Sequence, residues 1–402
     1  MTDSPADSRS GTGTVRFGII GVGAAGSEIQ AITRHPHLTI AAAADHDPAA
    51  LDRFHERFPS AARYLSVEEL CASADVDAVF IGTPTPLHTA HALLAIEGGK
   101  HVIVAKPMAL SLEDAQRTVS AAERAGVFLM VGHTQGYEPV VSKIREIIAG
   151  GSLGPLRMIN SWYYTDWIYR GRVPEELDTA QGGGVVYRQG AHHFDVLRLI
   201  GGSKIRSVRA MTGAWDANRA TEGAYVAFLD FEGGAAATAV FNGYDHFHSV
   251  ELGFPIGEGG QRVTSEEYAS ARKALAAAGE AGEADLKRRR RSGELRRGSG
   301  DPKRYHSFYG LTIVSCERGE IRQSPDGLII YDEQERREFT FEADRTGRDV
   351  MVDEMYRAIA SGEPPLHDGR WGLGTLEVCL AVLESGRKRR EVFLHHQVAV
   401  RA

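Results

Sequence analysis

Between Gly182 and Asp195 the chain reads GGGVVYRQGAHHFD. Arg188 and His192 stand four residues apart, a spacing that puts both on one face of a helix. A guanidinium takes a carboxylate through two parallel hydrogen bonds, and an imidazole moves protons near neutral pH. Together they suit an anion docked beside a group that gains or loses a proton. Arg170 and Arg172, in YRGRVPEE just upstream, add positive charge. The competing account of Arg188 is a salt bridge to a local acid, Asp178 or Glu176; that of His192 is a satisfied core histidine. His193, Asp195 and Arg198 read as structural, with Asp195 orienting an imidazole or capping the helix. Tyr163, Tyr164, Trp167 and Tyr187 either flank a flat ring or pack against one another.

A second chemical signal is Lys106 in IVAKPM, at the carboxyl end of an apolar strand and followed by Pro107. Ligands of doubly wound sheets bind beyond the carboxyl ends of the strands. In a partly dry pocket beside another positive charge, a lysine loses part of its basicity and becomes a usable acid/base.

The third signal is GxGxxG: Gly21, Val22, Gly23, Ala24, Ala25, Gly26. It follows a strand and opens a helix, the context in which the motif binds a dinucleotide. Gly21 permits the tight turn, Gly23 lets a pyrophosphate approach the backbone, and Gly26 is expected to let helix and strand pack closely. Asp45, 19 residues after Gly26, ends the next strand. A carboxylate there accepts from ribose hydroxyls and repels a 2′-phosphate, which favours NAD over NADP; the following His46, not an arginine, agrees. Thr83, Pro84 and His88, in TPTPLH, suit a loop against the nicotinamide ribose, although His88 reads equally as an ordinary helix-start residue.

The elements that must position these groups follow from hydrophobic periodicity. Apolar runs at 15–23, 38–45, 76–84, 101–107 and 127–133 read as five buried strands, separated by helical segments. This predicts an α/β chain with an N-terminal Rossmann domain, a doubly wound parallel sheet over residues 15–137, preceded by a disordered tail at 1–14. From 138 to 402 the rhythm changes to alternation with hairpin turns such as EGG and SPDG, ending in helices over 349–387. That predicts an α+β domain on a largely antiparallel open sheet. Residues 257–304 are rich in Ala, Glu, Lys and Arg and read as a charged insertion, part helix and part loop. Its KRRRR run, Lys287 to Arg291, has the charge to bind an anion, but flanked by glutamates it reads rather as a solvated face.

Composition narrows the partners. The 402 residues carry a formal charge of -7, and 43% are hydrophobic. Nothing in that balance favours nucleic acid, and no apolar run has the length of a membrane span. Three scattered cysteines make neither a disulfide framework nor a CxxC site, so a reducing, cytoplasmic compartment is expected. No His/Cys/Asp cluster has metal-ligand spacing, and no metal is expected.

GVGAAG, Asp45, TPTPLH, AKP, the 182–195 segment and the C-terminal TLEVCLAVLESGRKRREV together resemble the Gfo/Idh/MocA family, the glucose-fructose oxidoreductase and inositol dehydrogenase group. The resemblance covers about residues 15–255 and 305–390. It implies that Lys106 and His192 are the catalytic pair and that the chain forms a homo-oligomer, a dimer or tetramer, through the open sheet. Two departures stand out. Ala105 replaces the family's usual glutamate before the lysine, and Arg188 replaces an aspartate four residues before the histidine. Within the family, YRGRVPEELDTAQGGGVVYRQGAHHFDVLRLIGG and YGLTIVSCERGEIRQSPDGLIIY resemble the phthalate 4,5-cis-dihydrodiol dehydrogenases. The implied function is oxidation of a small anionic cis-dihydrodiol, with carboxylates on Arg188, Arg170 and Arg172 beside Lys106 and His192. The alternatives are an NAD-dependent dehydrogenase of a sugar, sugar acid, cyclitol or glycoside, and a cofactor-binding redox sensor without turnover.

Overall fold

A computed structural model describes residues 13–23, 25–263, 269–292 and 303–401. Ala24, most of the expected 1–14 tail, and parts of the 257–304 insertion therefore lie outside the described residues. The first sheet is built from β1 (Val15–Ile20), β2 (Leu38–Ala44), β3 (Ala62–Tyr64), β4 (Ala78–Ile81), β5 (His101–Ala105) and β6 (Leu129–Gly132). Their order is β3-β2-β1-β4-β5-β6, all parallel. The order reverses at β1, and crossover helices cover both faces, so the central strands are buried on both sides and carry no alternation. The sequence reading missed β3, which has two exposed residues among its three and so gives no apolar signal.

Local caps fix the helices. Asp47 accepts from the Ala49 amide at 2.9 Å to open α2 (Pro48–Arg57), as expected of an N-cap before proline. Ser111 opens α5 (Leu112–Ala125), and Gly126 closes it in the left-handed conformation. The remaining helices of this half are α1 (Gly26–Arg34), α3 (Val67–Ala72) and α4 (His88–Glu97).

After α6 (Pro139–Ala149) the chain builds a second sheet in the order β14-β13-β12-β11-β7-β10-β9-β8-β15. It comprises β7 (Leu156–Tyr164), β8 (Ile205–Gly213), β9 (Ala224–Phe231), β10 (Ala236–Asn242), β11 (Leu311–Cys316), β12 (Gly319–Ser324), β13 (Gly327–Asp332), β14 (Arg336–Thr340) and β15 (Val392–Phe393). Every pairing is antiparallel except β7 with β10, in line with the expected largely antiparallel sheet. One face packs on α7 (Ala191–Gly201) and α10 (Gly369–Lys388). The other leaves Met158, Met211, Val226 and Phe228 exposed.

Two features depart from the linear division of the chain. Helix α9 (Gly347–Ser361), beyond the second sheet in sequence, buries Met351, Val352 and Met355 in one core with Phe17, Ile29 and Met130 of the nucleotide half. The insertion also forms an ordered helix, α8 (Ser270–Ser292), interrupted at Gly279. Among the described residues no helix is long and apolar enough to cross a membrane.

Candidate active site

The carboxyl ends of β1, β2, β4 and β5 open onto a cleft of about 740 Å³. Gly21, Gly23, Asp45, His46, Thr83, Pro84, His88 and Lys106 line it from the nucleotide half; Glu176, Arg188 and Lys287 line it from the other side. Gly21 has φ +85, and a Cβ there would press on Thr83 and Gly82 at 2.9–3.0 Å, so the turn requires glycine. A Cβ at Gly23 would meet nothing within 4 Å, which leaves that loop face open to a phosphate. The same is true of Gly26, so the expectation that Gly26 permits close helix–strand packing is not met. α1 does not crowd the sheet at that point, and Gly26 is its first residue. Ala25, 0% exposed, packs in the core beneath the loop.

Asp45 organises this end of the cleft. One carboxylate oxygen accepts from the Val22 amide at 3.0 Å and the other from the Asp47 amide at 3.1 Å. His46 lies beside it, its Nδ1 3.2 Å from Asp45 Oδ1 and its side chain fully exposed. The glycine turn and the Asp45 carboxylate are thus one hydrogen-bonded unit. A dinucleotide fits here: phosphates over the open Gly23 turn, adenosine ribose at Asp45, nicotinamide towards Thr83, Pro84 and Lys106.

His88 does more than begin a helix. Its ring is buried, with Nδ1 2.8 Å from the Pro107 carbonyl and Nε2 2.8 Å from the Thr83 carbonyl. It lies between the loop after β4 and the loop after β5, and as a neutral ring with one N–H it donates to one of the two carbonyls at a time. Burial pushes its pKa down to about 4. Thr83 Oγ1 meets His91 Nδ1 at 3.1 Å.

Lys106 follows β5 directly, and its Nζ donates to the Arg188 carbonyl. Burial, reinforced by the nearby Arg188 guanidinium, lowers its pKa to about 7. The strand-end lysine is therefore balanced between amine and ammonium at neutral pH. His192 lies close enough for the Lys106 charge to act on it. It is 9% exposed, its Nδ1 has no hydrogen-bond partner among the described residues, and burial drives its pKa well below the usual range. It is a neutral imidazole behind the cleft wall, in edge contact with Tyr309 at 6.0 Å.

Arg188 sits in a π-helical turn, Val186–Gly190, that runs into α7. A π turn spaces residues differently from an α turn, and π turns often occur at functional sites. Arg188 donates through Nη2 to Glu176 Oε1 at 2.9 Å and through Nη1 to Thr85 Oγ1 at 3.3 Å. The salt bridge to Glu176, one of the two accounts the sequence allowed, is present, and the guanidinium still lines the cleft. The glycines set it up: a Cβ on Gly183 would lie 2.6 Å from the Glu175 and Glu176 backbone, so glycine lets the Glu176 segment lie against the turn.

Glu176 is the residue the sequence reading did not assign to the site. Besides Arg188, it receives Lys287 at 2.5 Å, and Arg172 Nη1 lies 3.7 Å away. Burial alone would raise its carboxyl; Arg172, Arg188 and Lys287 outweigh that and hold it near pKa 2. Lys287 belongs to the KRRRR run read as a solvated face, yet it is only 9% exposed. A signal existed: Glu283 and Lys287 share one face of α8 four residues apart, and both face the body of the protein.

The other two arginines expected to bind substrate are placed differently. Arg170 gives Nε to Asp166 at 2.6 Å, Nη2 to Thr165 at 2.9 Å and Nη1 to Glu258 at 3.3 Å. Its charge is met by the protein's own acids, and it does not line the cleft. Arg172 stacks 3.8 Å over Trp167 and donates to the Trp167 carbonyl, so it reaches the site only through Glu176. The aromatic residues pack: Tyr187 donates to the Leu110 carbonyl, and Tyr163 to Glu258. His193 bridges Tyr225 and Ser161, Asp195 takes the Trp371 indole at 2.6 Å, and Arg198 holds Trp371 and Thr375. All three fasten α7, as the sequence suggested.

Residues 15–133 match a family model described as an oxidoreductase family with an NAD-binding Rossmann fold, and residues 141–256 match the GFO/IDH/MocA C-terminal domain. Over 93% of its length the chain is 37% identical to 1-carboxy-3-chloro-3,4-dihydroxycyclo hexa-1,5-diene dehydrogenase of Comamonas testosteroni, covering 95% of that protein. It is 29% identical to trans-1,2-dihydrobenzene-1,2-diol dehydrogenase of Macaca fuscata fuscata, over 49% of this chain and 59% of that one. A solved structure from Bordetella bronchiseptica RB50 superposes with TM-score 0.87 at 40% identity, covering 95% of this chain and all of the other. At 21% identity and TM-score 0.66, the WlbA dehydrogenase of Bordetella pertussis, solved with NADH and UDP-GlcNAcA, shares the fold over 95% of this chain and 99% of its own.

Proposed function

The chain belongs to the Gfo/Idh/MocA family of NAD(P)-dependent oxidoreductases, and we propose that within it the protein oxidises a ring cis-dihydrodiol bearing carboxylate, such as phthalate 4,5-cis-dihydrodiol going to 4,5-dihydroxyphthalate. One observation carries the reading: Lys106, Arg188 and Lys287 line the cleft, and one buried acid, Glu176, faces them. Such a wall favours a substrate that brings its own negative charge. The Comamonas relative's name describes a carboxylated dihydroxycyclohexadiene, which fits the same chemistry.

Bound NAD supplies the hydride acceptor. Arg188 holds a substrate carboxylate and orients the ring. Lys106, as the neutral amine, accepts the proton of the carbinol oxygen at Nζ while the carbon–hydrogen bond gives up hydride. His192, which burial holds as a weaker base than Lys106, does not take the proton from the Lys106 ammonium; Lys106 returns it to solvent in the cleft. The ketone so formed tautomerises to a catechol, and aromatisation drives the reaction forward.

Steady-state NADH formation with carboxylated cis-dihydrodiols, neutral dihydrodiols, sugar acids and polyols tests this. A charge-assisted hydrogen bond contributes roughly 1.5–3 kcal/mol, so kcat/KM for the carboxylated diol should exceed that of its neutral analogue by about 10- to 150-fold. Faster turnover of neutral polyols would refute the reading, and a preference for sugar acids would move it to that class.

NAD rather than NADP is the proposed cofactor because the Asp45 carboxylate occupies the ribose end of the cleft. Asp45→Ala should weaken NAD binding about tenfold or more and narrow the NAD/NADP ratio, read by fluorescence titration with the two reduced cofactors. An unchanged ratio would remove Asp45 from this role. The exposed Met158, Met211, Val226 and Phe228 make the outer face of the second sheet the proposed contact between copies of the chain.

A further inference from the structure

The pyrophosphate end of the cleft holds an acid. Glu28 sits in the first turn of α1, two residues after Gly26, and lines the cleft together with Gly21 and Gly23. A carboxylate in that turn suits the positive end of a helix that carries no ligand. It also stands where a pyrophosphate, an anion itself, meets the same helix end. Two anions at one helix end repel each other unless a cation offsets one of them.

Arg348 supplies a cation there. Its Nε donates to Glu28 Oε1 at 2.7 Å across 320 positions of the chain. Among the described residues it is the cation paired with Glu28. It belongs to the first turn of α9, which lies outside both family-model matches. The seat of Arg348 is fixed by other contacts. A Cβ on Gly347 would overlap the Thr134 carbonyl, so glycine lets α9 begin hard against the segment after β6. The Gly347 amide donates to Glu138 at 3.1 Å. Asp349 takes Arg34 Nε at 3.0 Å and closes a capping box with Thr346, and Asp353 meets His35 at 3.3 Å. These acids are thus engaged elsewhere, and the guanidinium is left to Glu28. The Glu28 side chain is 13% exposed, so its charge is only partly screened by water.

We infer that Arg348 is a cofactor-positioning residue: it neutralises Glu28, so that the pyrophosphate of the dinucleotide can settle on the N-terminal end of α1. Helix α9 thereby makes cofactor affinity depend on the C-terminal half of the chain. The inference rests on the dinucleotide lying over the Gly23 turn and is independent of which diol is oxidised.

The test is a fluorescence titration of NADH into the full chain and its variants, with thermal stability followed in parallel. Arg348→Met should weaken NADH binding about tenfold, because an unmasked carboxylate then faces the pyrophosphate in a partly dry cleft. Glu28→Gln alone should bind NADH at least as tightly as wild type. The double variant, Arg348→Met with Glu28→Gln, should return to within about threefold of wild type, the signature of two coupled side chains. A strut would not give that rescue: if Arg348 only ties α9 to α1, removing Glu28 breaks the same tie, and affinity falls in every variant. Unchanged NADH affinity in Arg348→Met overturns the inference, as does weaker binding by Glu28→Gln. A loss that persists in the double variant also overturns it and makes Arg348 either a strut or a direct contact of the cofactor. Should Arg348→Met not fold, Arg348→Gln is read against the same rescue. Should wild type bind no NADH, the placement of the dinucleotide falls together with the inference.

Discussion

Lys106→Met is expected to lower kcat for diol oxidation by roughly 10²–10⁴-fold, the usual contribution of a positioned general base, while NAD binding stays within a few-fold of wild type. The lysine ends β5 at the cleft, clear of the Gly21–Gly23 turn and of Asp45, so truncating it leaves the phosphate and ribose contacts intact. Lys106→Arg should be equally inactive: it keeps a cation near the Arg188 carbonyl but cannot give up its proton. The same side chain sets the pH profile. Burial and the Arg188 charge lower Lys106 to about 7. Below that pH Nζ is an ammonium and cannot accept the carbinol proton; above it Nζ is an amine and can. The oxidation rate should therefore rise with pH through about 7 and then level off, and the reverse reduction should show the opposite trend. Near-normal turnover in Lys106→Met, or a profile flat between pH 6 and 8, would show that another group takes the proton.

Glu176→Ala should have the largest effect on stability. Its side chain is 7% exposed, and it is the shared partner of Arg172, Arg188 and Lys287. Removing one member of a buried ion pair costs about 3–5 kcal/mol because the remaining charge is left desolvated, and here three cations lose their acid together. Chemical denaturation should read that loss. Phosphate or phthalate in the buffer should recover part of it by occupying the unmasked cations, more in the variant than in wild type. The Glu176 charge also holds Lys106 up against burial, so the pH break should move to lower pH in the variant. Unchanged stability would mean that the three cations are not held on this carboxylate. Arg170→Ala should leave the pH break in place, because that guanidinium is met by Asp166, Glu258 and Thr165 outside the cleft.

Legibility in the sequence tracks the range of the interaction. The Rossmann sheet was readable because parallel strands buried on both faces leave continuous apolar runs, as in Val15–Ile20 and Ala78–Ile81; β3, short and exposed, left none. The Gly21 turn, the Asp47 cap and the strand-end position of Lys106 are set by neighbours within a few residues, so spacing alone revealed them. Gly26 has the right spacing yet lacks the close packing attributed to it, since spacing does not report what lies opposite a Cβ.

The cations divide along the same line. Arg170, Arg172 and Arg188 are chemically identical in the sequence. Asp166 and Glu258 neutralise the first, Trp167 covers the second, and only the third faces the cleft. Lys287, hidden in a run of like charges, joins Arg188 because Gly171 lets α8 pack close and Glu283 anchors it. By itself the sequence determined the dinucleotide fold, the lysine at its strand end and an excess of positive charge near the site. Which cation meets which acid was decided by tertiary structure: Asp166 lies four residues from Arg170 and Glu176 twelve from Arg188, but Lys287 reaches Glu176 across 111 residues and Glu258 reaches Arg170 across 88, and hydrophobic periodicity carries no record of either.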